Sequence, residues 1–183
     1  LQVRLGNQSF IPSLAPDPTK TASDISLLDG LLHLVSFDSD TPGHDGLATL
    51  SPLSKTRFDL TYDLTEEDSF AGSISSFDDF GTLAKESTDL TGVSLVFGLR
   101  DPGSPGLLLQ LEDASGKKDQ VLLTGIDDTE RFWMVDTALF DDLDLTQVTV
   151  IVFLLVEDNL ADTTSTLQVR LGNQSFIPSL APD

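Results

Sequence analysis

The chain has 183 residues, with 30 acidic and 10 basic side chains, a formal charge of −20 and no cysteine. So acidic a surface disfavours nucleic acid and anionic membranes, whose phosphates are held by Lys and Arg, while it keeps long chains soluble and attracts divalent cations. The absence of cysteine excludes a disulfide framework, a thiolate zinc site and a cysteine nucleophile.

The first feature in chain order is a string that returns. LQVRLGNQSFIPSLAPD occupies residues 1–17 and recurs, identical at every position, at residues 167–183, a spacing of 166 residues. That period is the size of a domain and far exceeds the roughly 20 to 50 residues of solenoid repeats. It predicts whole globular units in tandem, an engineered duplication being the other origin of such an echo. On the tandem reading, residues 1–10 are the closing strand of a preceding unit, carried by Leu1, Val3 and Leu5, and Leu167, Val169 and Leu171 close the present one. Residues 11–23 carry Pro12, Pro16 and Pro18 without alternation and read as a linker stiffened toward polyproline II. The unit itself then runs over 24–176, and 177–183 begins the next linker. Asn7-Gln8-Ser9 and its copy Asn173-Gln174-Ser175 fit the N-glycosylation pattern, but a match this short arises readily by chance.

Period-two alternation follows, broken by Gly, Pro, Asp and Ser clusters. Residues 25–37 read as strand, interrupted near Asp29-Gly30 as a hairpin would be. RFDLTYDL, 57–64, sets Phe58, Leu60, Tyr62 and Leu64 on one face and Asp59, Thr61 and Asp63 on the other. Further strands are expected at 70–75, 93–100, 106–112 (Leu107, Leu109 and Leu111 inward), 120–125 as hairpin partner across the turn DASGKKD, 131–135 and 166–171. VTVIVFLLV, 148–156, is apolar on both faces, which predicts a central strand covered by the opposing sheet on one side and by further chain on the other. No apolar run reaches the length of a membrane-spanning helix. The pattern predicts an all-β, two-sheet antiparallel sandwich.

The order of motifs resembles the galactose-binding-like β-jelly-roll domains of carbohydrate-binding modules. Asp89-Leu90-Thr91-Gly92 leads into 93–99 as that family's Asp-Leu-Ser-Gly entry leads into a core strand; Trp133, Phe140 and Asp144-Leu145 match its aromatic strand, loop and following Asp-Leu. The closing strand Leu167-Gln168-Val169-Arg170-Leu171 lacks the terminal Asp usual there. The resemblance covers about 70–171. It implies a jelly roll, often with a structural calcium in edge loops, and sugar binding, where present, through exposed Trp or Tyr.

Here Trp133 lies between Phe132 and Met134 on a packing strand, and Tyr62 on the apolar face of another, so both are expected in the core. With 30 acids present, no pair of carboxylates can be singled out as a glycosidase dyad. His33 and His44, without serine elbow or zinc spacing, read as a strand and a turn residue; no enzyme activity is expected. Calcium is the one cofactor with a chemical case, because a hard cation takes six to eight oxygens at about 2.3 to 2.6 Å. Candidate ligands are Asp38, Asp40 and Asp45, then Asp141, Asp142 and Asp144, then Asp127 and Asp128 with Glu130. The other reading of these acids is that they accept local backbone N–H bonds in turns.

The expectation for function is a structural repeat domain of a long extracellular or cell-surface fibre or adhesin, whose partners are neighbouring copies, with exchange of the strand Leu1 to Phe10 for Leu167 to Phe176 one way of joining them and beads on a linker the other. The alternative is a carbohydrate-binding module whose weak glycan sites gain avidity by repetition.

Overall fold

A computed structural model describes residues 11–28, 32–54, 56–78, 86–171 and 176–178. The strands are β1 (Ser13–Leu14), β2 (Leu32–Asp38), β3 (Leu47–Pro52), β4 (Arg57–Asp63), β5 (Phe70–Ser76), β6 (Ser94–Arg100), β7 (Gly106–Asp113), β8 (Lys118–Thr124), β9 (Arg131–Asp136), β10 (Val148–Val156), β11 (Thr164–Arg170) and β12 (Phe176–Pro178). Helical structure among the described residues is confined to three-residue 3-10 turns, and no helix there is long and apolar enough to cross a membrane.

The strands form two stacked sheets, one of seven in the order β1-β8-β7-β10-β5-β2-β12 and one of five in the order β3-β4-β11-β6-β9. Period-two alternation drives the stacking, since each sheet has one apolar face to hide. Leu107, Leu109, Leu111, Ile151, Phe153 and Leu155 come from the larger sheet, and Phe58, Leu60, Tyr62, Phe97, Trp133, Leu167 and Val169 from the smaller, all buried. At the centre, the Phe153 ring meets Phe97 and Phe58 edge-on, with centroids 5.4 and 6.4 Å apart, the T-shaped arrangement that aromatic quadrupoles favour. The all-β sandwich is as the alternation predicts.

Four features differ from the sequence expectations. Residues 25–28 are not a strand. Because β11 meets β6 only at Gly98 to Arg100, Val96, paired with Met134 of β9 on one side, has no strand partner on its β11 side, and Ser26 fills the place: its N–H donates to the Val96 carbonyl, and its hydroxyl accepts from the Val96 N–H and donates to the Ser94 carbonyl. The turn expected at Asp29-Gly30 lies outside the described residues. β3 carries no regular apolar alternation and escaped notice; it is an edge strand paired only with β4, with Leu47 65% exposed.

The segment expected as a free linker is docked. β1 pairs in parallel with β8, the Leu122 N–H donates to the Pro12 carbonyl, the Thr124 hydroxyl donates to the Leu14 carbonyl, and the Asp17 N–H donates to the Phe132 carbonyl. Pro12, just before this strand, is asked only for its carbonyl, so its missing N–H costs nothing there. The second copy of the string is also engaged: β11 lies between β4 and β6 with Leu167, Val169 and Leu171 buried, and β12 pairs in parallel with β2. The closing strand is thus supplied by the chain's own C-terminal copy. Leu1, Val3 and Leu5 lie outside the described residues.

Finally, β10 is central, between β7 and β5, as its apolar character predicts. The further chain expected over its outer face is not found there among the described residues. That face is the floor of a groove.

Candidate functional site: a groove on the outer face of the larger sheet

The groove, about 660 Å³, lies across β2, β5, β10, β7 and β8. Strand register builds it in rows. Phe37 aligns with Gly72, Gly72 with Leu154, and Leu154 with Leu108. Next come Val35, Ile74, Val152 and Gln110, and then His33, Ser76, Val150 and Glu112. Residues directly opposite on neighbouring strands share a face, so polarity rises from row to row, from the wholly apolar row of Phe37 to the mostly polar row that ends in Glu112. Five strands at about 4.8 Å spacing make a floor roughly 19 Å across.

The apolar end is aromatic. Phe37 and Phe70 stand with ring centroids 6.3 Å apart and planes tilted by 49°, and Phe70 remains 38% exposed. Gly72 makes room for this: a Cβ there would lie 2.5 Å from the Phe37 ring and 2.6 Å from the Phe153 carbonyl oxygen, so only glycine lets the ring rest on the strand. The polar end is already organised. The Gln120 side-chain amide donates to the Gln110 carbonyl oxygen at 2.7 Å, the Lys118 ammonium lies 3.6 Å from the Glu112 carboxylate, and Ser76, Asp78 and Thr149 complete the lining.

Trp133 and Tyr62, the residues a sugar platform would ordinarily use, are in the core at 0% and 1% exposure. The Tyr62 hydroxyl faces Asp101, and burial followed by that negative charge raises its pKa. Asp101 accepts from the Gly103 N–H at 2.8 Å and the Ser165 hydroxyl at 2.7 Å, ties the β6–β7 turn to β11, and is itself raised by burial. The aromatic groove residues Phe37 and Phe70 were missed because attention to Trp and Tyr passes over Phe. The signal was available, as Phe70, Gly72, Ile74 and Ser76 alternate onto one face.

His33 is on β2, aligned with Ser76. His44 lies in the turn before β3, its ring Nδ1 2.6 Å from the Glu67 carbonyl oxygen and 3.9 Å from Asp68. Among the described residues no three His, Cys, Asp or Glu side chains gather into a set that would hold a metal ion. Of the expected ligands, the Asp38 carboxylate accepts from the Ala48 N–H, the Asp45 backbone N–H donates to Glu66, and Asp40 is exposed. Asp144 caps the 3-10 turn at 145–147 through the Thr146 N–H, the Asp142 carbonyl accepts from Lys117, and Asp141 is exposed. Asp127 pairs with Arg131, whose hydrogen bond lowers its pKa, the Asp128 carbonyl accepts from Arg100, and Glu130 binds Arg170 through both oxygens.

The geometry defines a jelly-roll-like β-sandwich with a half-apolar, half-polar groove on one outer face. No protein-family model matches the chain, and no curated protein matches it. Among solved structures it is similar to a family 30 carbohydrate-binding module of the cellulosomal cellulase Cel9D-Cel44B of Clostridium thermocellum, at 13% identity over 79% of this chain and 92% of that one, TM-score 0.49. It is also similar to the agarase AgWH50C, at 12% identity over 91% of this chain and 25% of that chain, TM-score 0.52, and to an exo-β-agarase at 10% identity over 87% and 25%, TM-score 0.41. This chain therefore spans about a quarter of each agarase chain. At identities this low the likeness, above a TM-score of 0.5 for AgWH50C, is one of fold alone.

Proposed function

We propose that this domain is a non-catalytic glycan-binding module and that the groove over β10 is its binding face. One observation carries the reading: a floor of Phe37, Phe70, Ile74, Val152 and Leu154 leads directly into Gln110, Glu112, Lys118 and Asp78. A sugar ring has the same duality, with C–H faces that stack on apolar and aromatic side chains and hydroxyls that need polar partners to fix their orientation. A floor roughly 19 Å across accepts a linear oligosaccharide in preference to a single ring. Binding by such a shallow site is weak, and extracellular or cell-surface placement in an array would raise it through avidity.

A glycan array that includes agaro- and cello-oligosaccharides tests the reading. Binding is expected to at least one linear glycan and to fall about tenfold, or roughly 1.4 kcal/mol, in Phe70→Ala and in Gln110→Ala. No binding across the array, or binding indifferent to both substitutions, overturns it.

A structural role in a fibre of repeated units is the second reading, favoured by the docking of both copies of the duplicated string on the sandwich. Chelation separates the two readings of the acidic turns. Melting with and without EDTA differs by several degrees if calcium is held there; it does not if the carboxylates only serve local N–H groups.

A further inference from the structure

The two copies of the duplicated string take the two opposite edges of one sheet. Ser13-Leu14 in the first copy forms edge strand β1, beside β8. Phe176-Ile177-Pro178 in the second forms edge strand β12, beside β2. Within the string these pieces are consecutive: Pro178 is the copy of Pro12, so the Phe-Ile-Pro that edges one side is followed at once by the Ser-Leu that edges the other.

We propose that in a chain of successive units a single copy of Phe-Ile-Pro-Ser-Leu belongs to two sheets at once. Its first three residues pair with β2 of the unit behind and its last two with β8 of the unit ahead, so the larger sheets join through a shared strand into one continuous sheet. The partner is a second copy of this same unit, and the interface is head-to-tail and non-closing, the symmetry that builds filaments. This rests on the tandem reading of the duplication and not on the glycan groove.

Three independent requirements of geometry are met. The first is direction. From β8 through β7, β10 and β5 to β2 every pairing is antiparallel, so β8 and β2 run the same way; β1 and β12 are each parallel to their neighbour, and therefore to each other. One strand serves both edges without reversing. The second is face. Leu14 aligns with Leu123 and Pro178 with Leu34, and both Leu123 and Leu34 are buried in the core. Pro12, the first-copy equivalent of Pro178, is two residues before Leu14 and so on the same face as it. Merging the strands keeps the cores of successive units on one side.

The third is hydrogen bonding. The Pro12 carbonyl is turned to β8, where it accepts from the Leu122 N–H. Alternate residues of a strand turn their backbone groups to alternate sides, so those of Ile11 face away from β8, and its copy Ile177 is the middle residue of the pairing with β2. Proline, which has no N–H to offer, needs no acceptor at the crossover. Sharing also covers both edges of every internal larger sheet, edges that otherwise invite indiscriminate pairing. With no residue between the two pairings the joint is rigid.

The test uses a two-unit chain, residues 1–166 followed directly by the whole sequence, so that one copy of the string stands at the joint. The protein has no native cysteine, so Thr91→Cys in each unit, at an exposed turn, accepts spin labels without interference. A single narrow inter-label distance is expected. Slow hydrogen exchange is expected at two joint amides, the equivalents of Ile11 and Leu14. Inserting Gly-Ser-Gly-Ser between the joint's Pro and Ser is expected to broaden the distance distribution without changing the melting of either unit. A distribution as broad before the insertion as after it overturns the proposal, as does free-peptide exchange at either amide. Whether the unit is repeated in tandem is a separate question, answered by sequencing the gene that encodes it, so failure of the joint and failure of the array are told apart.

Discussion

The two faces of β10 are made of the same kind of residue and have opposite fates. Ile151, Phe153 and Leu155 point into the sandwich and are fully buried, while Val150, Val152, Leu154 and Val156 form the floor of the groove. The inner face meets a second sheet whose aromatic rings close around Phe153; the outer face meets Phe37, Phe70 and the polar pairs of β7 and β8 along a single sheet. Apolar composition alone does not tell a core from a binding surface. Whether another layer is stacked on it does.

That contrast can be broken by substitution. The largest effect is expected from Phe153→Ala, which leaves a cavity between Phe58 and Phe97 and costs about 3–5 kcal/mol in urea denaturation. A loss as small as that of an outer-face residue would mean that the core collapses around the hole. Gly72→Ala comes next, about 1–3 kcal/mol, because the new methyl meets the Phe153 carbonyl oxygen on one side and the Phe37 ring on the other. It joins the two faces at one residue, and the displaced Phe37 ring is expected to weaken glycan binding as well. Phe70→Ala sharpens the distinction: stability is expected to change by no more than about 1 kcal/mol while affinity falls. A large loss of stability with no loss of binding would place Phe70 with the core.

The smallest effects come from two acids, Asp101 in the turn before β7 and Asp113 at its end. Burial raises Asp101 above the usual carboxylate range, so the folded state binds its proton more tightly than the unfolded one. Stability is thus lost as pH rises from the unfolded value near 3.8 through the folded value, and is not regained at neutral pH. Asp101→Asn, whose amide still accepts from Gly103 and Ser165, is expected to be modestly more stable than the parent at pH 7 and equal to it at low pH. Asp113 has the opposite sign. The Ser115 hydroxyl, with the N–H groups of Asp144, Lys117 and Ser115, holds it down to about 2 against the desolvation that opposes them. Its contribution is present above about 3.8 and lost as pH falls toward 2. Asp113→Asn is expected to lose stability at pH 7 and to converge with the parent below that window, read by thermal melting across pH.

The strands were legible wherever one face was apolar and the other wet, as in Phe58, Leu60 and Tyr62 against Asp59, Thr61 and Asp63. Edge segments were not. β3 exposes most of its length, and β1 is a pair of residues, Ser13-Leu14, in a Pro-rich stretch, held to β8 by bonds such as that from the Leu122 N–H to the Pro12 carbonyl. The groove was half legible. β10 showed its two apolar faces in the sequence, but Phe37, Phe70 and Gln110 are brought to it from three other strands, a pairing that alternation does not specify.

From the sequence alone came the sandwich class, the buried positions of Trp133 and Tyr62, the central place of β10 and the duplication itself. All of these are periodic or local properties, set by which residues repeat and at what interval. Tertiary structure decided what depends on partners distant along the chain: that the outer face of β10 is a groove, and that Ser13-Leu14 of the first copy and Phe176–Pro178 of the second lie at opposite edges of one sheet. A backbone edge offers the same N–H and C=O groups whatever its side chains, so no sequence pattern announces which strand will come to lie beside it.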